Sequence, residues 1–451
     1  MVSEATYSAI RFGFGLGPAG LPKDLEAALA GLSGPDAMAE RYPMLKMREA
    51  LPIFDAYERA LKNRKAPGAQ KKADSVKGKI NYLFESGMSL SIARIAESKT
   101  PLRERLMAFW VDHFTAAPKH FISRLALQPY LDQGLRPHIT GTFGDLLVSA
   151  VTHPFMLNYL DQVSSVGPNS AAGKNRGRGL NENLAREVLE LHTLGVGASY
   201  TQTDVRQLAE LFTGLNFSAD DGFVFDPRRA EPGPEVVLGK KYGIWQGRLE
   251  DVHAVLQDLA VHPDTAAHVS RKLAVHFVSD APDEAMVQHM TAAWTASRGD
   301  IKAVMGAMLE HPAARRDFGA KAKRPFDFIA SIYLALGTPG DTIAAYEVKE
   351  LRRRMIVPSK TLNQPWMKAG APDGWPEDLE HWINAQALAT RIKMASQVGR
   401  MVGPHVRQPS RFVDRVLGDA ASERLRWAVG AAETREDAIA LVIASPEFNR
   451  R

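Results

Sequence analysis

The sequence contains no cysteine. That absence removes disulfides, thiolate nucleophiles, iron–sulfur clusters and Cys-type zinc sites together. It has no run of about 18 apolar residues, so no membrane-spanning helix is expected. The opening segment, MVSEATYSAIRFGFGLG, shows no basic stretch followed by an apolar one. No secretory signal is read there, and a cytoplasmic location is expected, with co-export into a periplasm beside a partner as the alternative. A strong charge of one sign is also missing: the formal net charge is +5 over 451 residues. An excess that small does not call for a polyanionic partner. The one dense basic run, from Lys62 to Lys79, has no aromatic residue before Tyr82. It reads as a solvated basic linker or helix end over 62–79, and nucleic acid is not expected as a partner. Standard catalytic signatures are absent too. No Gly-x-Ser-x-Gly elbow or His-Glu-x-x-His pair occurs, and Arg11-Phe12-Gly13-Phe14-Gly15-Leu16-Gly17 has the glycines of a nucleotide loop with no strand before them.

What is present is the composition of a globular chain with a sizeable core, 45% hydrophobic and 24% charged. Apolar residues recur mostly at the helical period, which predicts a mainly α fold: one large multi-helix body over 1–451, or two lobes. Leu102, Leu106 and Phe109 form one stripe behind Thr100-Pro101, and Val205, Leu208, Ala209 and Phe212 form another that stops at Gly214. Similar runs occupy 263–278, 284–296, 323–337 and 384–401. A β-hairpin and loop excursion is expected over 216–243, where Asn216-Phe217-Ser218 and Phe223-Val224-Phe225 flank Asp220-Asp221-Gly222. A second turn-rich stretch runs from Pro358 to Pro376. His153-Pro154, His262-Pro263 and His311-Pro312 read as helix starts with proline in the first turn.

Chemistry concentrates near residue 180. A glycine-rich basic loop over 161–180 carries Lys174, Arg176 and Arg178 and precedes a helix, the arrangement that binds anions at free backbone N–H groups. It is not a Walker A loop, since Asn175 stands where serine or threonine is needed. The competing reading is a loop that Asn181 merely caps. At 100° per residue, Asn183, Arg186, Glu187 and Glu190 share one face of the helix that follows. Two carboxylates three positions apart beside an arginine suit an acid–base pair or a divalent metal ion, and they equally suit a solvated face tied by an Arg186–Glu190 pair. His192 falls on the opposite, apolar side. His113 and His276 also sit on apolar stripes, as hydrogen-bonded core residues or as members of a three-histidine metal site.

The most distinctive stretch is Asn181-Glu182-Asn183-Leu184-Ala185-Arg186-Glu187, then Leu189-Glu190-Leu191-His192-Thr193-Leu194-Gly195, Tyr200-Thr201-Gln202 with Asp204-Val205, and Leu211-Phe212-Thr213-Gly214. It resembles the signature of a bacterial family catalogued as domain of unknown function 1800. Arg11 to Gly15, Phe109 to Phe114, His153 to Met156 with Tyr159 to Asp161, Lys272-Leu273, Gly374-Trp375-Pro376 and Ser445 to Phe448 agree with it. The resemblance spans nearly the whole chain and implies a largely helical fold with no assigned activity. It also implies a partner similar to sulfatases and alkaline phosphatases, encoded nearby. Two positions depart from the pattern: Ala230-Glu231 stands in place of a His-Asp pair, and Glu235 in place of a lysine. An enzyme whose polar pocket surrounds the 181–192 helix, with His113 and His192 behind it, is one expectation. A non-catalytic escort of an exported partner is the other.

Overall fold

Apolar side chains spaced three and four apart must be buried on one side, and the chain satisfies this by packing helix on helix. The computed structural model describes residues 2–18, 20–63, 69–176, 179–218 and 221–451. It is mainly α. The stripe of Leu102, Leu106 and Phe109 lies buried on helix Pro101–His113, which begins at a proline in its first turn, although the Thr100 side chain makes no cap. Helix Gln202–Leu211 opens with a reciprocal Thr201–Asp204 capping box. The four further helical runs read from the sequence appear as Pro263–Phe277, Glu284–Ser297, Pro325–Leu336 and Ala385–Val402.

The histidine–proline pairs are helix starts in hydrogen-bonding terms as well. The ring Nδ1 atoms of His153, His262 and His311 accept the backbone N–H of Phe155, Asp264 and Ala313, at 3.2, 3.2 and 3.3 Å. The basic run departs from the linker reading. Helix Met47–Lys62 ends in it, residues 64–68 lie outside the described residues, and from Ala69 the chain is a 29-residue helix to Glu97. Lys71, Lys72 and Lys79 are exposed on the first turns of that helix because Ala73 and Ile80 take its buried side.

The excursion holds two small antiparallel hairpins. Strand β1 (Leu215–Ser218) pairs with β2 (Gly222–Phe225) in the register Asn216↔Val224. Strand β3 (Glu235–Val237) pairs with β4 (Lys240–Tyr242), a hairpin hidden in what reads as loop because three-residue strands carry no periodicity. Leu238 and Gly239 at its tip both have positive φ, 50° and 75°, as a tight primed turn demands.

The principal core runs from Tyr7 to Ala314 through the helices of the first three quarters of the chain. A second cluster joins Phe328 and Ile332 to Phe412, Val416, Ile439, Val442 and Phe448. Helix Pro325–Leu336 is shared: Phe328 and Ile332 face that cluster, while Ile329, Tyr333 and Leu334 face a third cluster with Met88 and Ile92 of helix Ala69–Glu97. Among the described residues, no helix is long and apolar enough to cross a membrane.

Candidate functional site

The helix that carries the distinctive motif is α-helical over Asn183–Glu187 and then widens to a π-helical turn over Val188–His192. Such a turn rotates the residues after it relative to a regular wheel, and it is a frequent feature of functional segments. Leu184, Ala185, Val188, Leu189 and His192 are buried. The face of four polar groups is divided. Arg186 donates to Glu190 at 3.3 Å, to Glu182 at 3.2 Å and to Gln202 at 3.1 Å, with 39% of its side chain exposed. The Arg186–Glu190 pair of the solvated-face reading is therefore present. Asn183 is exposed at the edge of a shallow depression shared with Val163, Asn181 and Glu182. Glu187 is half-buried, and its carboxyl is pushed up by burial and by the charges of Glu190 and Asp373.

His113 and His192 are buried in the core, their rings 6.1 Å apart, and His113 Nε2 donates to the backbone carbonyl of His192 at 3.1 Å. Burial holds His113 well below the usual imidazole range and His192 down at about 3, so both are neutral. His276 approaches the same place from helix Pro263–Phe277, but Phe109 lies against both it and His113, with ring centroids at 5.3 and 5.8 Å. Phe109 thus lies between His113 and His276, while the His192 ring packs against His113 and against Phe114 at 5.1 Å. Among the described residues no three His, Asp or Glu side chains stand together as metal ligands.

In the glycine-rich loop, Lys174 is exposed on the short helix Ala171–Arg176; the side chain of Arg176 and all of Arg178 lie outside the described residues. The loop already holds an anion of the protein's own. Glu231 accepts the Asn169 backbone N–H at 2.9 Å and its Nδ2 at 2.6 Å. A Cβ on Gly167 would stand 2.6 Å from the Glu231 carboxylate, so glycine is required there. Glu231 is one of the two departures from the resemblance, and it serves as a buried clamp. Glu235, the other, is buried, and its carboxyl is raised to about 8 by burial and by the neighbouring charges of Glu210 and Glu231.

The densest chemistry lies where the sequence offered little warning. Asp112, at the end of helix Pro101–His113, accepts from Arg324 Nη1 at 2.6 Å and from the Trp375 backbone N–H at 3.0 Å. Gly374 makes that approach feasible: its φ is +92°, and a Cβ would meet Asp112 O at 2.8 Å. Glu377, two residues beyond Trp375, accepts His276 Nδ1–H at 2.6 Å and pairs with Lys321 at 3.1 Å and Arg324 at 3.6 Å. Arg324 is thus shared by two carboxylates in different settings. Burial and the Glu377 charge raise Asp112 despite Arg324. Although burial opposes it, Glu377 is held well below the carboxylate range by His276, Arg324 and Lys321. His276 stays neutral at about 3 through burial, donating its Nδ1 proton. Lys272 is half-buried nearby; burial depresses it while Asp112, Glu377 and Asp373 draw it back.

Asp112 and Arg324 form part of the wall of a cavity of about 100 Å³ beneath the 363–378 segment. Trp366, Trp375, Phe326 and Met107 give it an apolar, aromatic side. Its floor is ionic but self-neutralised: Arg94 pairs with Asp132 at 2.6 Å, and Arg136 with Glu104 at 2.8 Å and Asp36 at 2.7 Å. Arg324 Nε is buried with no hydrogen-bond partner among the described residues. Glu377 does not line the cavity; Asp112 does.

The sequence resemblance had marked Phe109 to Phe114 and Gly374 to Pro376 without naming Asp112 or Glu377 as site residues, and nothing local singles out Arg324. No curated protein and no solved structure matches the chain. The family model described as protein of unknown function (DUF1800) matches residues 9–450, and the chain belongs to that family.

Proposed function

We propose that the protein is an enzyme of proton-transfer chemistry acting on a small, largely apolar substrate in the cavity beneath the 363–378 segment. Asp112 is its proton-carrying group and Arg324 the fixed positive charge that stabilises the anion formed. The observation that carries this reading is the pairing of two carboxylates on one guanidinium, of which Asp112 alone opens onto the cavity. Environments that push two acids apart separate the proton donor from the permanent anion. Asp112, pushed up, is the exchangeable acid; Glu377, pushed down, keeps Arg324 and Lys321 in place. The tryptophans Trp366 and Trp375 provide the apolar walls usual for small-molecule sites. Of the 183–190 face, Glu187 feels the charge of Asp373 on the 363–378 segment but does not line the cavity.

A panel of esters, lactones and enolisable ketones tests the proposal. Turnover of at least one class is expected, and Asp112→Asn should lower it by roughly 10²–10⁴-fold. Equal rates in the variant, for every substrate turned over, would remove Asp112 from the chemistry.

A second reading, a non-catalytic escort of a partner similar to sulfatases or alkaline phosphatases, draws on the excursion. Just past its end, Trp245 is 84% exposed and Ile244 59% exposed. Exposed aromatic and aliphatic side chains side by side favour a protein contact. Co-purification of such a partner, lost with Trp245→Ala, is the expected outcome of that reading, and recovery of the chain without one from its host would sink it.

A further inference from the structure

A separate cavity of about 230 Å³ opens between helix Met47–Lys62, the 122–126 turn, helix Pro154–Tyr159 and strand β1. Its walls are apolar: Met47, Leu51, Phe54, Ile122, Leu125 and Phe217 account for much of the lining, and no charged residue among the described ones contributes. Phe54 and Phe217, both in the lining, meet edge to face at 6.0 Å. Among the described residues, two polar side chains reach the cavity. Ser123 is engaged, its hydroxyl donating to His120 O at 2.7 Å. Asn158 is not: its Oδ1 is buried without a hydrogen-bond partner among the described residues.

We infer that this cavity is a binding site for a neutral small molecule with an apolar body and one hydrogen-bonding group, which the Asn158 amide meets. Three observations fix that chemical class. An apolar cavity of only ~150 Å³ takes up benzene, so the volume here suits a bicyclic ring or a medium-length alkyl chain. The uncharged lining offers no counter-ion, and a charged ligand would bear an unrepaid desolvation cost. A buried amide oxygen left unpaired is costly in the empty protein, and a ligand hydroxyl or N–H placed against it relieves that cost. Glu187, Asp112 and Arg324 do not line this space, so the site is independent of the proposed proton-transfer cavity.

The two cavities carry different methionines, which makes the inference directly testable in the intact protein. Met47 lines this one; Met44, Met107 and Met367 line the other. With ¹³C-methyl-labelled methionine, titration of 2-naphthol is expected to shift the Met47 methyl resonance saturably, with the Asn158 side-chain amide moving alongside it. Naphthalene should bind the same place roughly two- to tenfold more weakly, the size of one neutral hydrogen bond. Asn158→Leu should erase the preference for 2-naphthol while keeping naphthalene bound. The charged analogue 2-naphthoate should not compete. Three results would overturn the inference: no saturable Met47 shift up to the solubility limit, shifts confined to Met44, Met107 and Met367, or an undiminished preference for 2-naphthol in Asn158→Leu.

Discussion

Individual side chains in this protein owe their roles to setting more than to type. Asp112 and Glu377 share Arg324, yet burial moves one up while cations hold the other down. Glu235 shows the same dependence away from the cavity, raised to about 8 by burial beside Glu210 and Glu231. The consequence for stability has a definite sign. An unfolded glutamate releases its proton near pH 4.5, while the folded one keeps it to about 8. The native state therefore binds the extra proton between those values, and its advantage is complete at low pH and lost as pH rises through about 8. Melting curves at pH 5, 7 and 9 should show the wild type losing more stability across the series than Glu235→Gln, in which nothing titrates at that position. Parallel losses in the two proteins would refute the assignment. At this scale the sequence was a partial guide. Glycine and proline positions could be read, and so could the Arg186–Glu190 spacing. The protonation of Glu235 could not, because Glu210, Glu231 and Glu235 meet through a hairpin too short to leave a pattern.

Elements with long apolar periods were legible because their buried stripe is written locally. Leu102, Leu106 and Phe109 point the same way in any helix of that register, and Val205, Leu208 and Ala209 behave alike. The π-helical turn at Val188–His192 escaped the wheel, since its hydrogen bonds widen the turn without any residue type that announces it. The segment 363–378 was legible as turns and no further; what positions it is Asp112, more than 250 residues away along the chain. Gly374 is the hinge of that contact. Alanine there would force a positive φ on a residue with a Cβ and drive that Cβ into Asp112, so Gly374→Ala should cost roughly 1–3 kcal/mol. Hydrogen exchange of the peptide containing Trp375 should accelerate as its N–H leaves the Asp112 carboxylate. Gly370→Ala, four residues earlier with open space around the new Cβ, should leave both stability and exchange nearly unchanged. Equal effects from the two substitutions would mean the close approach at Asp112 is not what holds the segment.

Across the whole molecule, the question is what ties the principal core to the cluster around Phe328 and Phe448. The buried Arg105–Asp327 pair does so at 2.7 Å, with Arg105 on helix Pro101–His113 and Asp327 on helix Pro325–Leu336. Arg105 also binds Gly13 O at 2.6 Å and lies 3.8 Å over the Phe14 ring, which explains the Arg11 to Gly15 motif as a docking loop. Partners 222 positions apart leave no trace in a single sequence, so neither this tie nor the Asp112–Arg324 contact was legible there. Burial opposes ionisation of Asp327, but Arg105, Arg324 and Arg451 outweigh it and bring its pKa down to about 2. A depressed carboxylate stabilises the fold above its unfolded value near 3.8 and loses that contribution as pH falls through about 2. Asp327→Asn removes the counter-charge while leaving a buried guanidinium, so urea unfolding near neutral pH should show a loss of roughly 3–5 kcal/mol. The double change Arg105→Met with Asp327→Leu leaves no buried charge unpaired within the pair and should recover a large part of that loss. If the double variant is as unstable as the sum of both single changes, the pair acts through packing with Phe14 and Gly13, and the electrostatic tie between the two clusters is refuted.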